Sequence, residues 1–326
     1  MSFKIQKESF ESVSGYFADR AKGLNWPSIF VLPLWMQAWW KIFGGDYEPL
    51  LLSAFKDQDL IGIAPLMRRG PEAFIVGSAD VCDYLDFITI PGRESDFFSA
   101  LLPALKKEGI ERLELSAQRP DAAVFSGIFA AREQLSVEAG FSRENESFEI
   151  NPGTSWEDYL AGLKKKQRHE VRRKLRRLGN KGGSYNYRVI DKAEEIKEFV
   201  PLFLELFQHN PDKAGFLTER MEQFFRELIE VASGAGLARF GLLEIEEEPA
   251  AVVLYFDYEG RIYLYNSGFS SRYSDLSPGL ISKILCIRDS IEKGRRVFDF
   301  LKGREVYKSR LGGISIPIYK TRITIT

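Results

Sequence analysis

Residues 261–301, RIYLYNSGFSSRYSDLSPGLISKILCIRDSIEKGRRVFDFL, decide the fold of the C-terminal half of this chain. An alternating aromatic segment predicts a strand at 262–267, and a polar loop follows. Ser277 is a good N-cap and Pro278 suits the first helical position, so we expect a helix over 278–292. A second strand is predicted at 296–301. This order places a helix N-terminus at a sheet edge, where it can bind a phosphate.

Working outward, two hairpins share one pattern. LLLSAFKDQDLIGIAPLM (50–67) and FGLLEIEEEPAAVVLYF (240–256) each have a strand, a charged turn and a second strand. Each half then continues with a strand, a helix and a further strand. We therefore predict an α/β fold with mixed sheets, in which one unit is used twice. The turn cluster Asn151-Pro152-Gly153 suggests domains at 1–150 and 151–326.

Three further segments complete the predicted elements. Trp35, Trp39 and Trp40 fall on helical spacing within 34–43, which favours a core helix. Residues 84–90 look like a strand that carries Asp86 among apolar neighbours. A long helix is expected at 155–178.

Composition limits the chemistry. The chain has 326 residues, 44% of them hydrophobic, and a net charge of -1. Its two cysteines, Cys82 and Cys286, argue against a disulfide framework and fit a reducing, cytoplasmic compartment. His169 and His209 cannot supply a cysteine and histidine metal cage, so no metal is expected. No apolar run is long enough for a membrane span, and the N-terminus lacks the core of a signal peptide.

The segment 164–177 contains nine Lys or Arg residues and a single acid, Glu170. An apolar stripe docks this helix, and its other faces are positive. One interpretation is an anion-binding surface for nucleotide phosphates, tRNA, an anionic glycan or an acidic membrane. The other is a solvated face balanced by acids elsewhere. The absence of interleaved aromatic residues argues against base readout. The candidate anion-binding residues are Lys165, Arg168, Arg172 and Arg173.

The quoted stretch supplies the other candidates. Ser277 and Gly279 open the helix, and Gly279 is expected to leave its first amides unshielded for a pyrophosphate. Tyr263 and Tyr265 lie on one face of the preceding strand, which Gly268 is expected to break. Tyr263 and Gly268 are candidate cofactor-binding residues together with Ser277 and Gly279. Tyr265 is a candidate proton donor to a departing thiolate, although packing is the commoner role of a strand aromatic.

Asp299 lies between Phe298 and Phe300, so it points to the opposite face of its strand. If helices cover the phenylalanine face, Asp299 opens towards a cleft and can orient or deprotonate an amine. The alternative is an edge aspartate that faces water. Nearby Lys and Arg residues favour bound anions.

Four segments together resemble the BioF2-like, CelD-type acetyltransferase family of the GNAT (N-acyltransferase) superfamily, which is related to Fem-type aminoacyltransferases. They are LPLWMQAWWKIFG, LKKKQRHEVRRKLRRL, YLYNSGFSSRYSDLSPGLISK and FDFLKGREVYKSRLG. The resemblance implies two tandem GNAT-like domains and an acyl-donor site in the second. It also implies that Lys308 offsets developing charge, as a lysine in the FKxxFG-like segment of Fem-type enzymes does.

The resemblance implies transfer of an acyl group from acyl-CoA or acetyl-CoA to an amine or hydroxyl, for instance in a cell-envelope or exopolysaccharide precursor. The loop before Pro278 lacks the Gln/Arg-x-x-Gly-x-Gly/Ala signature that cradles coenzyme A pyrophosphate. An aminoacyl-tRNA donor therefore stays open, as does a non-catalytic scaffold for polysaccharide biosynthesis.

Overall fold

The computed structural model describes residues 2–19, 22–131, 137–181, 183–208 and 215–325. The chain divides into two compact units: unit 1 is Met1–Asn145 with Ile316–Thr326, and unit 2 is Glu146–Ser315. Each unit contains a mixed sheet flanked by helices. The predicted α/β class with mixed sheets is confirmed.

The described strands are β1 (Phe3–Lys7), β2 (Glu48–Lys56), β3 (Asp59–Arg69), β4 (Glu72–Ile75), β5 (Ile88–Thr89), β6 (Arg112–Gln118), β7 (Val137–Ile150), β8 (Tyr185–Ile190), β9 (Ala238–Ile245), β10 (Glu248–Tyr258), β11 (Arg261–Phe269), β12 (Val297–Lys302) and β13 (Ile314–Ile325). The described helices are α1 (Phe10–Ala18), α2 (Pro33–Phe43), α3 (Glu94–Lys107), α4 (Ala123–Ala131), α5 (Trp156–Gly162), α6 (Lys165–Lys181), α7 (Ala193–Gln208), α8 (Glu219–Gly234), α9 (Pro278–Glu292) and α10 (Val306–Arg310).

The sheets of the two units are built alike. The strand order in unit 1 is β1-β2-β3-β4-β6-β13, with β5 beside β3, and in unit 2 it is β7-β12-β11-β10-β9-β8. Each unit has one short parallel ladder, β4 with β6 in unit 1 and β11 with β12 in unit 2. The other strand pairs within the two units are antiparallel. The two parallel pairs each span three residues. The hairpins at 50–67 and 240–256 thus occupy equivalent places in each unit.

Helices cover both faces of the unit 2 sheet. On one face α5, α6 and α9 contribute to a core that includes Phe298 and Phe300. On the other face α7 and α8 bring buried phenylalanine rings against the sheet, such as Phe203 and Phe225, whose centroids are 6.2 Å apart. Burial of these apolar side chains on both faces stabilises the unit.

Two predicted elements differ from the structure. The helix expected at 155–178 is interrupted: α5 ends at Gly162, Leu163 is extended, and α6 starts at Lys165. Of the strand expected at 84–90, only β5 pairs, because the Asp86 carboxylate accepts the amides of Phe87 and Ala123 and so binds the start of α4.

The core helix is confirmed for Trp35 and Trp39, which are buried, whereas Trp40 is half-buried. The sequence also predicts a helix over 193–209, which corresponds to α7; its predicted last residue, His209, lies outside the described residues.

Candidate active site

The parallel ladder between β11 and β12 ends early. Its last pair is Tyr263↔Asp299, although both strands continue beyond it. On the β10 side, β11 has a bulge in which Tyr265 is the extra residue. Beyond this pair β11 and β12 are not paired with each other; we call this unpaired region the opening between β11 and β12, and Lys283 of α9 contacts its β11 side at Ser267.

The start of α9 is capped differently from the prediction. Ser277 has a left-handed backbone (φ 59, ψ 51), and its hydroxyl makes no cap hydrogen bond. The predicted side-chain cap is wrong because that role needs an extended backbone, which aims the hydroxyl at the first turn. Instead the Ser277 carbonyl accepts the amides of Leu280 and Ile281, each at 3.1 Å.

Gly279 is not unshielded, as the sequence suggested. A Cβ at this position would lie 2.9 Å from the ring of Phe269, which therefore covers one side of the first turn. The Gly279 carbonyl accepts a hydrogen bond from Lys283 Nζ at 2.8 Å. A role of Ser277 and Gly279 in cofactor binding stays a prediction.

Two lysine ammonium groups approach the first turn of α9. Lys174 of α6 donates to the Ser277 hydroxyl at 2.8 Å, and Lys283 reaches back along α9 to Gly279. The N-terminus of a helix carries partial positive charge, so cations are disfavoured there unless an anion accompanies them. Glu170 lies 3.6 Å from Lys174 and offsets part of this charge.

Lys283 also connects α9 with β11 and α10. It is 8% exposed, donates to Ser267 Oγ at 2.9 Å, and lies 5.1 Å from the centroid of the Tyr307 ring. Burial raises the pKa of Tyr307, with a smaller contribution from Glu305. The sequence analysis missed Ser267, Lys283 and Tyr307 as a group. The signal was Lys283 itself, the one charged residue among the buried positions of α9.

Asp299 does point away from Phe298 and Phe300, as strand alternation predicted, but it opens neither to a cleft nor to water. It is fully buried, 3.0 Å from Arg261, and it accepts the amide of Leu301 at 2.8 Å. Burial lowers the pKa of Arg261, but Asp299 and Glu149 together raise it above its usual value. Asp299 thus contacts Arg261, which lies on the neighbouring strand β11.

Lys308 is buried as well, with 2% exposure. Its ammonium donates to the carbonyls of Leu301 and Lys302, and it lies 3.1 Å from a Glu305 carboxylate oxygen. These three acceptors match its three N–H groups. Lys308 therefore ties α10 to the end of β12, and a charge-offsetting role towards a substrate stays a prediction.

The remaining strand candidates have packing contacts. Tyr263 is buried, and Tyr265 packs against the rings of Phe225 and Phe256 at 5.9 and 5.4 Å. Gly268 does not break β11, which continues through Phe269. A side chain at Gly268 would collide with the backbone of α7 at Leu206, so this glycine allows α7 to approach the sheet.

The four predicted anion-binding residues all lie on α6. Lys165 and Arg172 are exposed, Arg168 donates to the Ala161 carbonyl at 3.2 Å, and Arg173 binds Glu170 at 2.7 and 2.8 Å. None of these contacts reaches α9. Besides apolar packing, the charged side chains of α6 that contact the α9 region are Lys174 and Arg177, which lies 3.3 Å from Asp275.

Other types of site find less support. Among residues 2–19, 22–131, 137–181, 183–208 and 215–325, no group of three His, Cys, Asp or Glu side chains is placed to hold a metal ion. Within the same ranges no helix has the length and apolar character to cross a bilayer. A groove of about 500 Å³ lies in unit 1 beside β1 and α3, and its Lys7 and Glu108 are paired with each other.

Comparison with known proteins identifies the kind of domain in which these residues lie. Residues 165–309 match the family described as an acetyltransferase (GNAT) domain, a range that runs from α6 to α10. The match identifies a GNAT-type acetyltransferase domain in unit 2, which confirms the superfamily resemblance. The specific likeness to the CelD-type family stays a prediction. A comparison with curated proteins found no match.

Several solved structures share the fold over most of the chain. A crystal structure of FemX is 12% identical with a TM-score of 0.65, covering 97% of this chain and 96% of that one. The C-terminal domain of a putative lysylphosphatidylglycerol synthetase from Agrobacterium fabrum is 12% identical (TM-score 0.55, 88% and 86% covered). A tandem GNAT protein from the clavulanic acid pathway is 11% identical (TM-score 0.50, 98% of each chain covered). At these identities the likeness is one of fold.

Proposed function

We propose that unit 2 transfers an acyl group from a coenzyme A thioester to an amine or hydroxyl acceptor. The observation that carries this proposal is the pair of ammonium groups, Lys174 and Lys283, at the N-terminus of α9 beside the opening between β11 and β12. In this proposal residues 1–150 and 151–326 are two GNAT-like domains, and the second binds the donor. The match of residues 165–309 to a GNAT domain supports it.

The ammonium groups of Lys174 and Lys283 would also take the place of the missing sequence signature whose amides cradle coenzyme A pyrophosphate. In this chain the amides of Leu280 and Ile281 are bonded to Ser277, so the first turn offers few amides to a ligand. Lys174 and Lys283 supply donors and positive charge at the same place, and the dipole of α9 adds to their field. We therefore expect phosphates to be bound chiefly by lysine side chains.

The reacting groups would meet where Ser267, Lys283 and Tyr307 converge. The bound thioester would supply the acyl group, and the acceptor would attack it directly, without a covalent enzyme intermediate. The carbon–sulfur bond would break, and the proton that the acceptor loses would replace the one delivered to the leaving thiolate. Tyr307 is our preferred proton donor to the leaving thiolate, because its ring lies 5.1 Å from the Lys283 ammonium beside the opening, and that positive charge favours release of the phenol proton. The ring of Tyr265, the alternative, is held in the aromatic cluster with Phe225 and Phe256.

Asp299 and Lys308 enter the proposal as positioning residues. Asp299 would keep Arg261 and the β11–β12 junction in place, and Lys308 would hold α10, which carries Tyr307. A direct catalytic role for either would require it to give up contacts that it makes within the chain. For Lys308, the exposed Glu305 is the contact that a ligand could replace most readily.

Calorimetric titration with acetyl-CoA tests the proposal without knowledge of the acceptor. We expect the wild-type protein to bind one equivalent, and Lys174→Met and Lys283→Met each to weaken binding about tenfold, the effect of one hydrogen bond to a charged group. Lys293→Met is the matched control, since Lys293 caps the opposite end of α9 and pairs with Asp289. Circular dichroism checks that each variant is folded.

The same titration separates the alternatives. If the wild-type protein binds aminoacyl-tRNA and not acetyl-CoA, the donor is the Fem-type one. If it binds neither, the scaffold hypothesis for polysaccharide biosynthesis replaces the enzymatic one. If acetyl-CoA binds equally well to all variants, the donor site lies elsewhere.

A further inference from the structure

Apart from Arg168, which donates to the Ala161 carbonyl, the exposed and half-buried basic residues of α6 fall into two groups, and among the residues that the structure describes only one group has acidic partners. Arg173 binds Glu170, Lys174 binds Glu170 and Ser277, and Arg177 lies 3.3 Å from Asp275. Burial works against the charged form of Glu170, but hydrogen bonding and charge from Arg173 and then Lys174 lower its pKa to about 2, so this acid stays ionised. These residues form the side of α6 that is tied to the rest of unit 2.

The second group is a row of exposed residues, which we call the outer stripe: Lys165, His169, Arg172 and Arg176, with Lys166 next to it. Their spacing of four, three and four residues places them in one line along the helix. The line is about 16 Å long, at 1.5 Å per residue. Within the described part of the chain, no carboxylate lies within ion-pair distance of Lys165, Lys166, Arg172 or Arg176.

This concentration of charge is local. The whole chain has 46 acidic and 45 basic residues, yet the only acid on α6, Glu170, is taken by Arg173 and Lys174. Arg172 and Arg176 are four residues apart and repel each other, which disfavours the helix. An external polyanion would relieve this repulsion.

The chemistry of the stripe distinguishes between polyanions. The apolar residues of α6, Val171, Leu175 and Leu178, are directed into the core, so the outer stripe has no exposed apolar side chain to insert into a bilayer or to stack on a base. Duplex RNA is recognised largely through its shape, by contacts to 2′-hydroxyls and phosphates across the curved surface of a shallow groove, and single strands by stacking on aromatic rings. The stripe is a straight, convex row of cations, which matches a plane of phosphates.

We propose that the outer stripe of α6 binds electrostatically to the surface of a bilayer that contains anionic phospholipids. The ammonium and guanidinium groups would contact headgroup phosphates while α6 stays folded on unit 2. This interaction is independent of the acyltransferase proposal. Each cation near such a surface contributes about fivefold to the partition coefficient, and the attraction falls off within a Debye length, about 8 Å at physiological salt.

Vesicle sedimentation tests this. We expect the full chain to bind vesicles of phosphatidylglycerol and phosphatidylcholine at low salt and to be released from them by 1 M NaCl. It should not bind vesicles of pure phosphatidylcholine. The combined variant Lys165→Gln, Lys166→Gln, Arg172→Gln and Arg176→Gln should lose binding by about a hundredfold or more. A control with the same change of net charge, from -1 to -5, is Lys4→Gln, Lys106→Gln, Lys192→Gln and Lys197→Gln, all exposed and off α6. It should bind like the wild type.

A charge-preserving variant, Lys165→Arg, Lys166→Arg, Arg172→Lys and Arg176→Lys, should also bind normally, which separates charge from folding. Three results would overturn the proposal. The first is that the wild type stays in the supernatant with anionic vesicles. The second is that the glutamine variant sediments as fully as the wild type. The third is that a 20-base-pair RNA duplex displaces the protein from vesicles at equal phosphate concentration, which would assign the stripe to RNA.

Discussion

Arg261 begins the three-residue parallel ladder between β11 and β12, Asp299 ends it, and their side chains form an ion pair of 3.0 Å. Glu149 on β7 lies 2.6 Å from the same guanidinium. The pair therefore joins three strands at the point where β11 and β12 diverge. The opening that we assign to the donor exists where this connection stops.

Replacement of Asp299 by Asn should lower the free energy of unfolding by about 2–3 kcal/mol, because it leaves a largely buried Arg261 with one carboxylate in place of two. Urea unfolding measures this. Asp275→Asn, which loses only a surface pair with Arg177, is the control and should change stability by less than about 1 kcal/mol. Equal effects of the two substitutions would show that the junction is not held by this pair.

Glu170→Gln should have an effect that depends on pH. The pKa of Glu170 is lowered from 4.5 to about 2, chiefly by the hydrogen bond from Arg173, so the ionised form stabilises the fold above pH 4.5. That contribution is lost as the pH falls from about 4.5 towards 2. Since the group is partly exposed, we expect a difference below about 1 kcal/mol at pH 7. The difference between wild-type and variant stabilities should shrink as the pH falls below about 4.5 and vanish near pH 2, and a constant difference would contradict the assignment.

Lys308→Met should destabilise the protein by about 2 kcal/mol, because it leaves the carbonyls of Leu301 and Lys302 without their donor. Glu305→Gln, which weakens only the exposed side of this network, should cost less than about 1 kcal/mol. Thermal unfolding of both variants checks this. A Lys308→Met protein of wild-type stability that cannot turn over acetyl-CoA would instead support the catalytic role expected from the resemblance to Fem-type enzymes.

Gly268→Ala should destabilise the protein by about 1–3 kcal/mol, since the new methyl group meets the rigid backbone of α7. The matched substitution is Gly15→Ala in α1, where no atom lies within 4 Å of the added carbon. That change should be neutral or stabilise by up to about 1 kcal/mol, because alanine favours helices. The opposite signs can be read from two calorimetric midpoints.

Both cysteines should resist modification in the folded protein. Cys82 and Cys286 are each 1% exposed, and burial raises the pKa of the Cys286 thiol to about 12. We expect a maleimide at pH 7 to label neither thiol over minutes and both after unfolding in guanidinium chloride. Mass spectrometry counts the labels. Rapid labelling of Cys286 in the native state would show that α9 separates readily from the sheet.

Much of the local structure follows from sequence patterns alone. The hairpins, the bounds of α9 and the alternation that turns Asp299 away from Phe298 and Phe300 depend on neighbours within a few residues. The break after Gly162 was missed because basic residues with good helix propensity follow it directly. Strands β7 and β13 were also missed, since their pattern is interrupted by charged residues.

The order of elements and their apolar periodicity were enough to predict a mixed α/β chain built from a repeated unit. The superfamily that the second unit matches was indicated separately, by the resemblance of four sequence segments to a known family. Only the tertiary structure decided which charged side chains are paired with other groups of the chain. Arg261 is 38 residues from Asp299, and Lys174 is 103 residues from Ser277. Such pairs form because strand register and helix docking bring distant side chains within hydrogen-bonding distance. Spacing along the chain does not reveal those contacts. The sequence could therefore propose charged and polar candidate residues, but it could not separate residues that are paired within the chain from residues that are available to a ligand.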